Sequence, residues 1–287
     1  MKRFSKSKCV CSISPQVIPA YYLSLGECAE IETKSPMEEV YKYYLKKKEI
    51  LGEVANWSTG PIYIKQIKPG DILAVKILDI KVEGPGVISL ENTIKILEVN
   101  GDKLTFGENL SLPINPMIGV VAIAPKQGEL SCHLAGDCGG NMDIKDIGIG
   151  AIICLPVAVP GALLVLGDVH ATQGDGEIGG QGAEINAKVL IRIGKDDKSL
   201  SRRPYIYKDG YIMTVGWGKN VEEAIKLAVK DMINIIVNYL KIAPREAEKL
   251  IGLVGDVKIG QVVTPIKTVR VTMSMDIFQG RITPPEV

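Results

Sequence analysis

The sequence predicts a mainly β protein with a few well-defined helices. Residues 71–82, 117–124 and 151–159 are rich in valine and isoleucine, with proline or glycine at their edges, which is typical of strands. The segments that begin at Asn220 and Pro244 instead repeat apolar side chains with a period near 3.6, which indicates helices. We expect these helical stripes to face a core.

An earlier helix is predicted to begin at Ser35. This serine is a good N-cap residue, Pro36 follows at the first helical position, and Glu38 stands where it completes a capping box. Apolar and aromatic residues then share one stripe, namely Val40, Tyr41, Tyr44 and Leu45. The lysines at 46–48 suit the negative C-terminal end of this helix.

Further strands are predicted around and after the centre of the chain. Pro160 and Gly161 are typical of a turn, which would join the 151–159 strand to an apolar run at 162–166. Such a run is typical of a strand that is buried on both faces. Residues 262–275 are predicted to return as strands.

Composition limits the class of protein. The chain has 287 residues, more than the ~250 at which one core usually stops growing, so two or three packed subdomains are expected. The net charge of +1 gives no basic surface for nucleic acid. The longest apolar stretches, such as residues 151–159, are shorter than the about 20 residues that span a bilayer. The basic start, residues 1–8, lacks the apolar segment of a signal peptide.

The cysteines are scattered rather than paired. They lie at positions 9, 11, 28, 132, 138 and 154, without zinc-ribbon spacing. A cytoplasmic enzyme with free thiols is the simplest explanation. For Cys9 and Cys11 we favour two residues of an N-terminal strand over a metal or redox pair.

Polar residues gather in three short clusters between residues 138 and 177. The clusters are Asn141 with Asp143, Asp168 with His170, and Asp175 with Glu177. Each pair is spaced i, i+2, and side chains at this spacing point the same way in an extended segment. One such pair is ordinarily a glycine-rich turn. Three pairs in one stretch instead indicate a hydrolytic metal centre.

The second and third clusters directly follow the apolar run at 162–166. We therefore expect them at the mouth of a buried strand, where a rigid element holds them steady. The chain has two histidines. His170 is expected to be a ligand or a base because of its acidic neighbours, and His133 is a weaker candidate that would face the site from the side.

Several sequence blocks also occur together in one order. They are residues 59–64 (TGPIYI), 68–73 (KPGDIL), 139–143 (GGNMD), 155–161, 167–171 (GDVHA), 174–177 (GDGE), 255–257 and 261–265. Residues 59–272 thereby resemble the acetamidase/formamidase family. The resemblance implies hydrolysis of short aliphatic amides to a carboxylate and ammonia. We also expect a homo-oligomer, a dimer in the simplest case.

Strand signals and this resemblance together imply a finer architecture. Residues 1–110 would form a β-sandwich with one inserted helix. Residues 111–200 would form a central barrel-like β segment that carries the active site, and residues 201–287 an α/β C-terminal part.

Two positions depart from the pattern of the family. Cys138 stands where the family usually has histidine before the GGNMD block, and a thiolate there would either preserve a metal ligand or remove one. Residues 216–218 (GWG) replace a polar, histidine-containing stretch before the long helix.

The expected mechanism is metal-assisted attack of water on an amide carbonyl. Zinc is favoured and calcium is the alternative, because zinc lowers the pKa of its bound water to about 7. Asp143, Asp168 and His170 are assigned to the metal. Asn141 is a weaker ligand or an orienting group, and Cys138 is a further candidate ligand.

The general base is assigned to Glu177 or Asp175, which would later protonate the departing amine. Two alternatives stay open at this point. One is a metal-free amidase with Cys138 or Cys154 as the nucleophile and His170 as its base. The other is a non-catalytic binding protein on the same scaffold, suggested by the altered residues Cys138 and Gly216.

Overall fold

The chain folds into strongly curled sheets with helices packed against them. The computed structural model describes residues 1–47, 55–91 and 93–287. In chain order the strands are β1 (Lys2–Phe4), β2 (Cys9–Val10), β3 (Ser12–Ile13), β4 (Tyr21–Ser24), β5 (Cys28–Thr33), β6 (Ser58–Lys65), β7 (Ile72–Leu90), β8 (Thr93–Asn100), β9 (Lys103–Phe106), β10 (Leu110–Pro113), β11 (Met117–Ala122), β12 (Leu130–Ser131), β13 (Ala135–Gly136), β14 (Gly139–Asn141), β15 (Ile152–Pro156), β16 (Leu164–His170), β17 (Glu184–Lys195), β18 (Tyr205–Lys208), β19 (Tyr211–Gly218), β20 (Asp256–Ile259) and β21 (Lys267–Ser274). The helices are α1 (Met37–Lys47), α2 (Val221–Leu240), α3 (Pro244–Val254) and a 3₁₀ turn at Met275–Phe278.

These elements confirm the predicted fold class, mainly β with α+β elements. The three strands predicted first are present as parts of β7, β11 and β15. The strand predicted after Gly161 extends further than expected, through His170. Asp168 and His170 are therefore part of the strand rather than of a loop at its mouth.

The prediction of strand throughout residues 262–275 is wrong in its first part. Gln261 folds its side chain back, and its Oε1 accepts hydrogen bonds from the backbone N–H groups of Val263 (2.9 Å) and Thr264 (3.0 Å). The next residue, Pro265, has no N–H to offer a neighbouring strand. A turn therefore occupies these positions, and β21 begins at Lys267.

Most of the strands form two runs of paired strands, and β8, β9 and β10 extend from β7 as an antiparallel meander. The first run is β1–β5–β17–β7–β15–β18–β19–β21–β20, antiparallel except for β1 with β5. The second run is β4–β6–β16–β11–β14–β13, antiparallel except for β4 with β6. His170 of β16 pairs with Glu184 of β17, which connects the two runs.

The core follows this arrangement. The largest cluster of buried apolar side chains takes residues from both runs, such as Ile31 and Ile62. A second cluster, which includes Met232 and Ile236, packs α2 and α3 against the first run. The proposed division at residues 110 and 200 stays a prediction, and β7 pairs with β15 and β17 across its first boundary.

The helix starts agree with the predicted caps. Asn220 Oδ1 accepts a hydrogen bond from Glu223 N (2.9 Å), and α3 begins at Pro244. At α1, Ser35 Oγ accepts from Met37 N (3.1 Å). The predicted capping box is incomplete, because the Glu38 carboxylate instead pairs with Lys6 (2.7 Å) and with Lys42. The third lysine of the predicted helix end, Lys48, lies outside the described residues.

Candidate active site

Four carboxylates and one histidine converge where the two runs of strands meet. Each of the five residues is at most 6% exposed, and they are Asp143, Asp168, His170, Glu177 and Glu184. Ligand atoms of Asp143, Asp168 and His170 lie within 4.8 Å of one another, and so do those of His170, Glu177 and Glu184. The two triads share His170. We call these five residues the acidic cluster.

Strand β16 supplies Asp168 and His170. Both side chains reach the cluster, although the backbone is left-handed at Asp168 (φ 59°) and the i, i+2 rule for an extended segment does not apply there. The register between β16 and β11 brings Gly119 opposite Asp168. A Cβ atom at position 119 would lie 2.7 Å from Asp168 Oδ2 and would also clash with Asp143. Glycine at 119 therefore makes room for the two carboxylates.

The segments that carry Asp143 and Glu177 are fixed by contacts from the C-terminal part of the chain, residues 260–268. The segment that carries Asp143 is tied down because Thr268 Oγ1 donates to Met142 O (2.7 Å). The loop that carries Glu177 is tied down on both sides of Gly176, whose N–H donates to Gly260 O (2.8 Å) and whose carbonyl accepts from Val262 N (3.1 Å).

Three of the carboxylate residues have left-handed backbone conformations. The φ angles are 46° at Asp143, 59° at Asp168 and 50° at Glu177. Such angles are uncommon for residues other than glycine, and they concentrate where the surrounding structure enforces them, often at functional sites. The backbone is thus bent at three points to direct carboxylates into one space.

Hydrogen bonds fix the orientation of the His170 ring. Its Nδ1 lies 2.6 Å from Gln173 Oε1, and Gln173 Nε2 donates to Asp143 O (2.8 Å). The amide oxygen of Gln173 can only accept, so Nδ1 carries a proton and donates. The ring therefore directs Nε2 into the cluster, 3.0 Å from Glu184 Oε1 and 3.6 Å from Asp168 Oδ1.

Burial and like charge disturb the protonation of the cluster. Burial raises the pKa of Glu177 and of Glu184 to about 7, from an ordinary value of 4.5. Burial, together with the Glu177 and Asp168 carboxylates, raises the pKa of Asp143 well above its usual range. Burial lowers the pKa of His170, but Glu184 and Asp168 outweigh it and the net pKa is well above the ordinary value. Perturbations of this kind concentrate at functional sites.

The cluster fits a divalent cation. Both Asp143 carboxylate oxygens and Glu184 Oε2 are buried and make no hydrogen bond among the described residues, and the buried His170 Nε2 faces the carboxylates of Glu184 and Asp168. Buried polar atoms normally have partners, and leaving them without any is costly. Carboxylate oxygens and imidazole nitrogen form a donor set that zinc accepts. A cation would satisfy these atoms and also reduce the repulsion between the carboxylates.

A small cavity of about 270 Å³ opens onto the cluster. Its lining residues are Pro36, Met37, Asn56, Ser89, His133, Asn141, Asp168, Glu177, Gly180, Gln181, Glu184 and Thr264. Asn56 Nδ2 donates to Asn141 Oδ1 (3.3 Å) and to Asp168 Oδ2 (3.1 Å). Asn141 therefore lies at the edge of the cluster and shares Asn56 with Asp168. His133 lies at the rim, and its Nε2 accepts from Asn56 N (3.3 Å).

The structure separates Asp175 from the cluster. Its carboxylate pairs with Arg270 Nη2 (2.9 Å) and with Lys145 Nζ (3.1 Å), and its side chain is 32% exposed. The segment is not extended, because φ is +92° at Gly176 and +50° at Glu177. The i, i+2 rule therefore fails here, and only Glu177 of this pair reaches the cluster.

The position of Cys138 does not support its assignment as a metal ligand. The side chain lines a separate cavity of about 590 Å³ with residues such as Asp71 and Arg202. Burial raises the pKa of its thiol to about 11. Cys154 is buried beside Asp196, with Sγ 3.9 Å from Oδ2. Neither thiol contacts His170, so the positions give no support to a cysteine nucleophile with His170 as its base.

Gly216, the other departure from the family pattern, has a packing role. A Cβ atom at this position of β19 would lie 2.7 Å from Ala228 N of α2. Glycine lets the helix approach the strand closely.

Sequence reasoning missed three contributors to the site. Glu184 comes from β17 and meets His170 by strand register, Gln173 orients the imidazole, and Gly119 makes space for the carboxylates. Glu184 begins β17, where polar and apolar residues alternate (EINAKV), so the sequence alone did not distinguish it from a solvent-facing polar residue.

The fold and this buried cluster define a β-rich protein with a site suited to hydrolysis. Residues 134–280 match the model of the Acetamidase/Formamidase family, which is just over half of the 287 residues. The chain belongs to this family, as the sequence blocks predicted.

Two named relatives are similar in sequence to this chain over short segments. The chain is 58% identical over 55 residues to a putative formamidase of Schizosaccharomyces pombe and 56% identical over 45 residues to an acetamidase of Mycolicibacterium smegmatis. These segments cover 19% and 16% of this chain. They span only 13% and 11% of the lengths of the two relatives.

Solved structures of other proteins have a similar fold over almost the whole of this chain. An acetamidase from Bacillus halodurans is 31% identical with a TM-score of 0.91, over 98% of this chain and 100% of that one. A protein described as a predicted acetamidase/formamidase from Thermoanaerobacter tengcongensis is 31% identical with a TM-score of 0.92, over 98% and 97%. A gamma lactamase from Delftia acidovorans, 18% identical with a TM-score of 0.62 over 97% and 91%, shares the fold alone.

Proposed function

We propose that the protein hydrolyses short linear aliphatic amides, of the acetamide and formamide type, to a carboxylate and ammonia. It would then be a hydrolase of carbon–nitrogen bonds other than peptide bonds. The acidic cluster, with its unpartnered buried ligand atoms at the base of a small polar cavity, is the observation that carries the proposal. Membership of the Acetamidase/Formamidase family supports it.

The cavity suits a small substrate. Drug-sized ligands usually occupy pockets of about 300–1,000 Å³, and this cavity has about 270 Å³. Its walls are mainly polar. A short amide can place its polar end against Asp168, Glu177 and Glu184 without requiring a long apolar channel.

Asp143, Asp168 and His170 would hold a divalent metal ion, with zinc favoured and calcium the alternative. The ion would supply Lewis acidity, which polarises an amide carbonyl and makes water a stronger nucleophile near neutral pH. The residues around it provide position. Gln173 holds the His170 ring with Nε2 toward the cluster, and Asn56 holds Asn141 and Asp168.

Glu177 is the proposed general base. It lines the cavity, whereas Asp143 and His170 are not among the lining residues. Burial raises its pKa to about 7, and a pKa near the working pH suits a group that must first take and later give a proton. Glu177 would remove a proton from the attacking water and deliver it to the departing nitrogen.

The test is ammonia release from a panel of linear amides, before and after treatment with a chelator. The proposal requires turnover of short amides that the chelator abolishes and added zinc restores. Turnover that survives complete removal of metal would contradict the metal-assisted mechanism. A panel without any ammonia release would favour a binding protein on this scaffold.

The cellular location and the oligomeric state stay predictions from the sequence. Among the described residues, no helix has both the length and the apolar character needed to cross a bilayer. We propose a cytoplasmic homodimer, and light scattering after size-exclusion chromatography tests the dimer.

A further inference from the structure

We propose that Met37, at the start of α1, determines the length of amide that the site accepts. Its side chain would form the wall against which the acyl chain of the substrate ends. This inference rests on the proposed amidase function and goes one step further, because it assigns substrate length to one residue of the α1 segment.

Met37 stands at the cavity but belongs to a different part of the chain from the acidic cluster. It lines the cavity together with Asp168, Glu177 and Glu184, and its side chain is only 6% exposed. Beneath it lies Val87, which packs in the same apolar cluster and is the register partner of Glu184. The apolar wall and the Glu184 carboxylate are therefore connected through one residue of β7.

The chemistry of the lining indicates how a substrate would lie. Among the residues that the structure describes around this cavity, Pro36 and Met37 supply the apolar side chains, and the remaining side chains are polar or charged. An amide group belongs at the polar side, near the carboxylates. The methyl or methylene end of the same molecule then belongs at Met37, because moving an apolar group from water to an apolar surface is favourable.

The wall is held firmly in place. Ser35 N donates to Asn186 Oδ1 (2.8 Å), and Ser35 Oγ in turn accepts from Met37 N (3.1 Å). Asn186 follows Glu184 by two residues in β17. One strand thus sets the positions of both the apolar wall and a carboxylate, so the distance between them is fixed by the fold rather than by a mobile loop.

The experiment compares Met37→Ala with Val40→Ala as its matched control. Val40 is on the same helix, is 1% exposed and packs in the same apolar cluster, but it does not line the cavity. Both changes remove buried apolar atoms from α1, and only the first enlarges the cavity. The measurement is kcat/KM for formamide, acetamide, propionamide, butyramide and valeramide.

Met37→Ala should raise the ratio of kcat/KM for butyramide over acetamide at least about tenfold, since one methylene in a pocket is worth about 10- to 200-fold. Val40→Ala should leave that ratio as in the wild type, whatever it does to stability. Met37→Val, a smaller truncation, should shift the preference in the same direction by less and serves if Met37→Ala does not fold.

Three outcomes would overturn the inference. An unchanged length preference in both Met37 variants, with a wild type that hydrolyses short amides, removes Met37 as the wall and leaves the amidase function intact. An equal shift in Val40→Ala would show a general effect of loosening α1. A wild type that releases ammonia from none of the five amides removes the proposed function and this inference together.

Discussion

Replacing Arg270 by methionine should destabilise the protein and loosen the loop that carries Glu177. The guanidinium is completely buried. It pairs with Asp146 and with Asp175 (2.9 Å), and Nη1 donates to Ile259 O (2.7 Å). Asp146 follows Asp143 by three residues and Asp175 precedes Glu177 by two. One side chain therefore braces both segments that supply carboxylates to the cluster.

The magnitude follows from what the substitution leaves behind. Breaking a buried ion pair by removing one partner costs about 3–5 kcal/mol. The carboxylates of Asp146 and Asp175 keep 22% and 32% exposure, and water screens part of the loss. We therefore expect the lower end, about 3 kcal/mol. At about 2–4 °C per kcal/mol for chains of roughly this size, the midpoint of thermal unfolding should fall by about 6–12 °C.

Calorimetry and urea unfolding measure this loss, and Arg281→Met is the control. Arg281 is exposed and donates one hydrogen bond, to Tyr239 O. Arg270→Lys should recover part of the stability, because it keeps the charge but not the planar fork of donors. If Arg270→Met unfolds within about 1 °C of the wild type, the bracing role is refuted.

Four further changes test the site. Glu177→Gln should lower turnover by about 10²–10⁴-fold with metal content retained, whereas the turnover of Asp175→Asn should stay within about tenfold of the wild type. Steady-state kinetics and metal analysis measure both quantities. The reverse pattern would assign the general base to Asp175. Asp168→Asn should deplete bound metal, measured by mass spectrometry, because it removes a charged ligand. Cys138→Ser should keep wild-type ammonia release, and an inactive, folded variant would revive the thiol mechanism. In metal-free protein, Glu177 and Glu184 have pKa values of about 7 against 4.5 ordinarily, so the folded state holds protons that the unfolded state releases. The unfolding free energy should then fall as pH rises from about 5 to 7, and a flat profile in urea unfolding would contradict these shifts.

Much of the fold was predictable because its signals are local. Valine- and isoleucine-rich segments became strands, and the Asn220 cap began α2 as expected. The metal ligands proposed on β16, Asp168 and His170, both reach the cluster, but the φ angle of 59° at Asp168 shows that the alternation of an extended strand is not the reason. Periodicity and capping depend on neighbouring residues, which a sequence shows directly.

The remaining features depend on long-range pairing and on backbone geometry. Glu184 reaches His170 only through the register of β16 with β17, and no local pattern specifies which strands pair. Asp175 and Glu177 were expected to act together, but positive φ angles at Gly176 and Glu177 turn them apart. Cys138 precedes the GGNMD block, yet it lines the other cavity.

The most direct test of the metal-assisted site is a titration of the metal-free protein with zinc. Bound metal and ammonia release from acetamide are measured in parallel. We expect no turnover without metal, a rise in turnover in proportion to zinc bound, and neither binding nor turnover in Asp168→Asn. Full turnover in protein shown to contain no metal would contradict the proposal that the acidic cluster works as a metal centre.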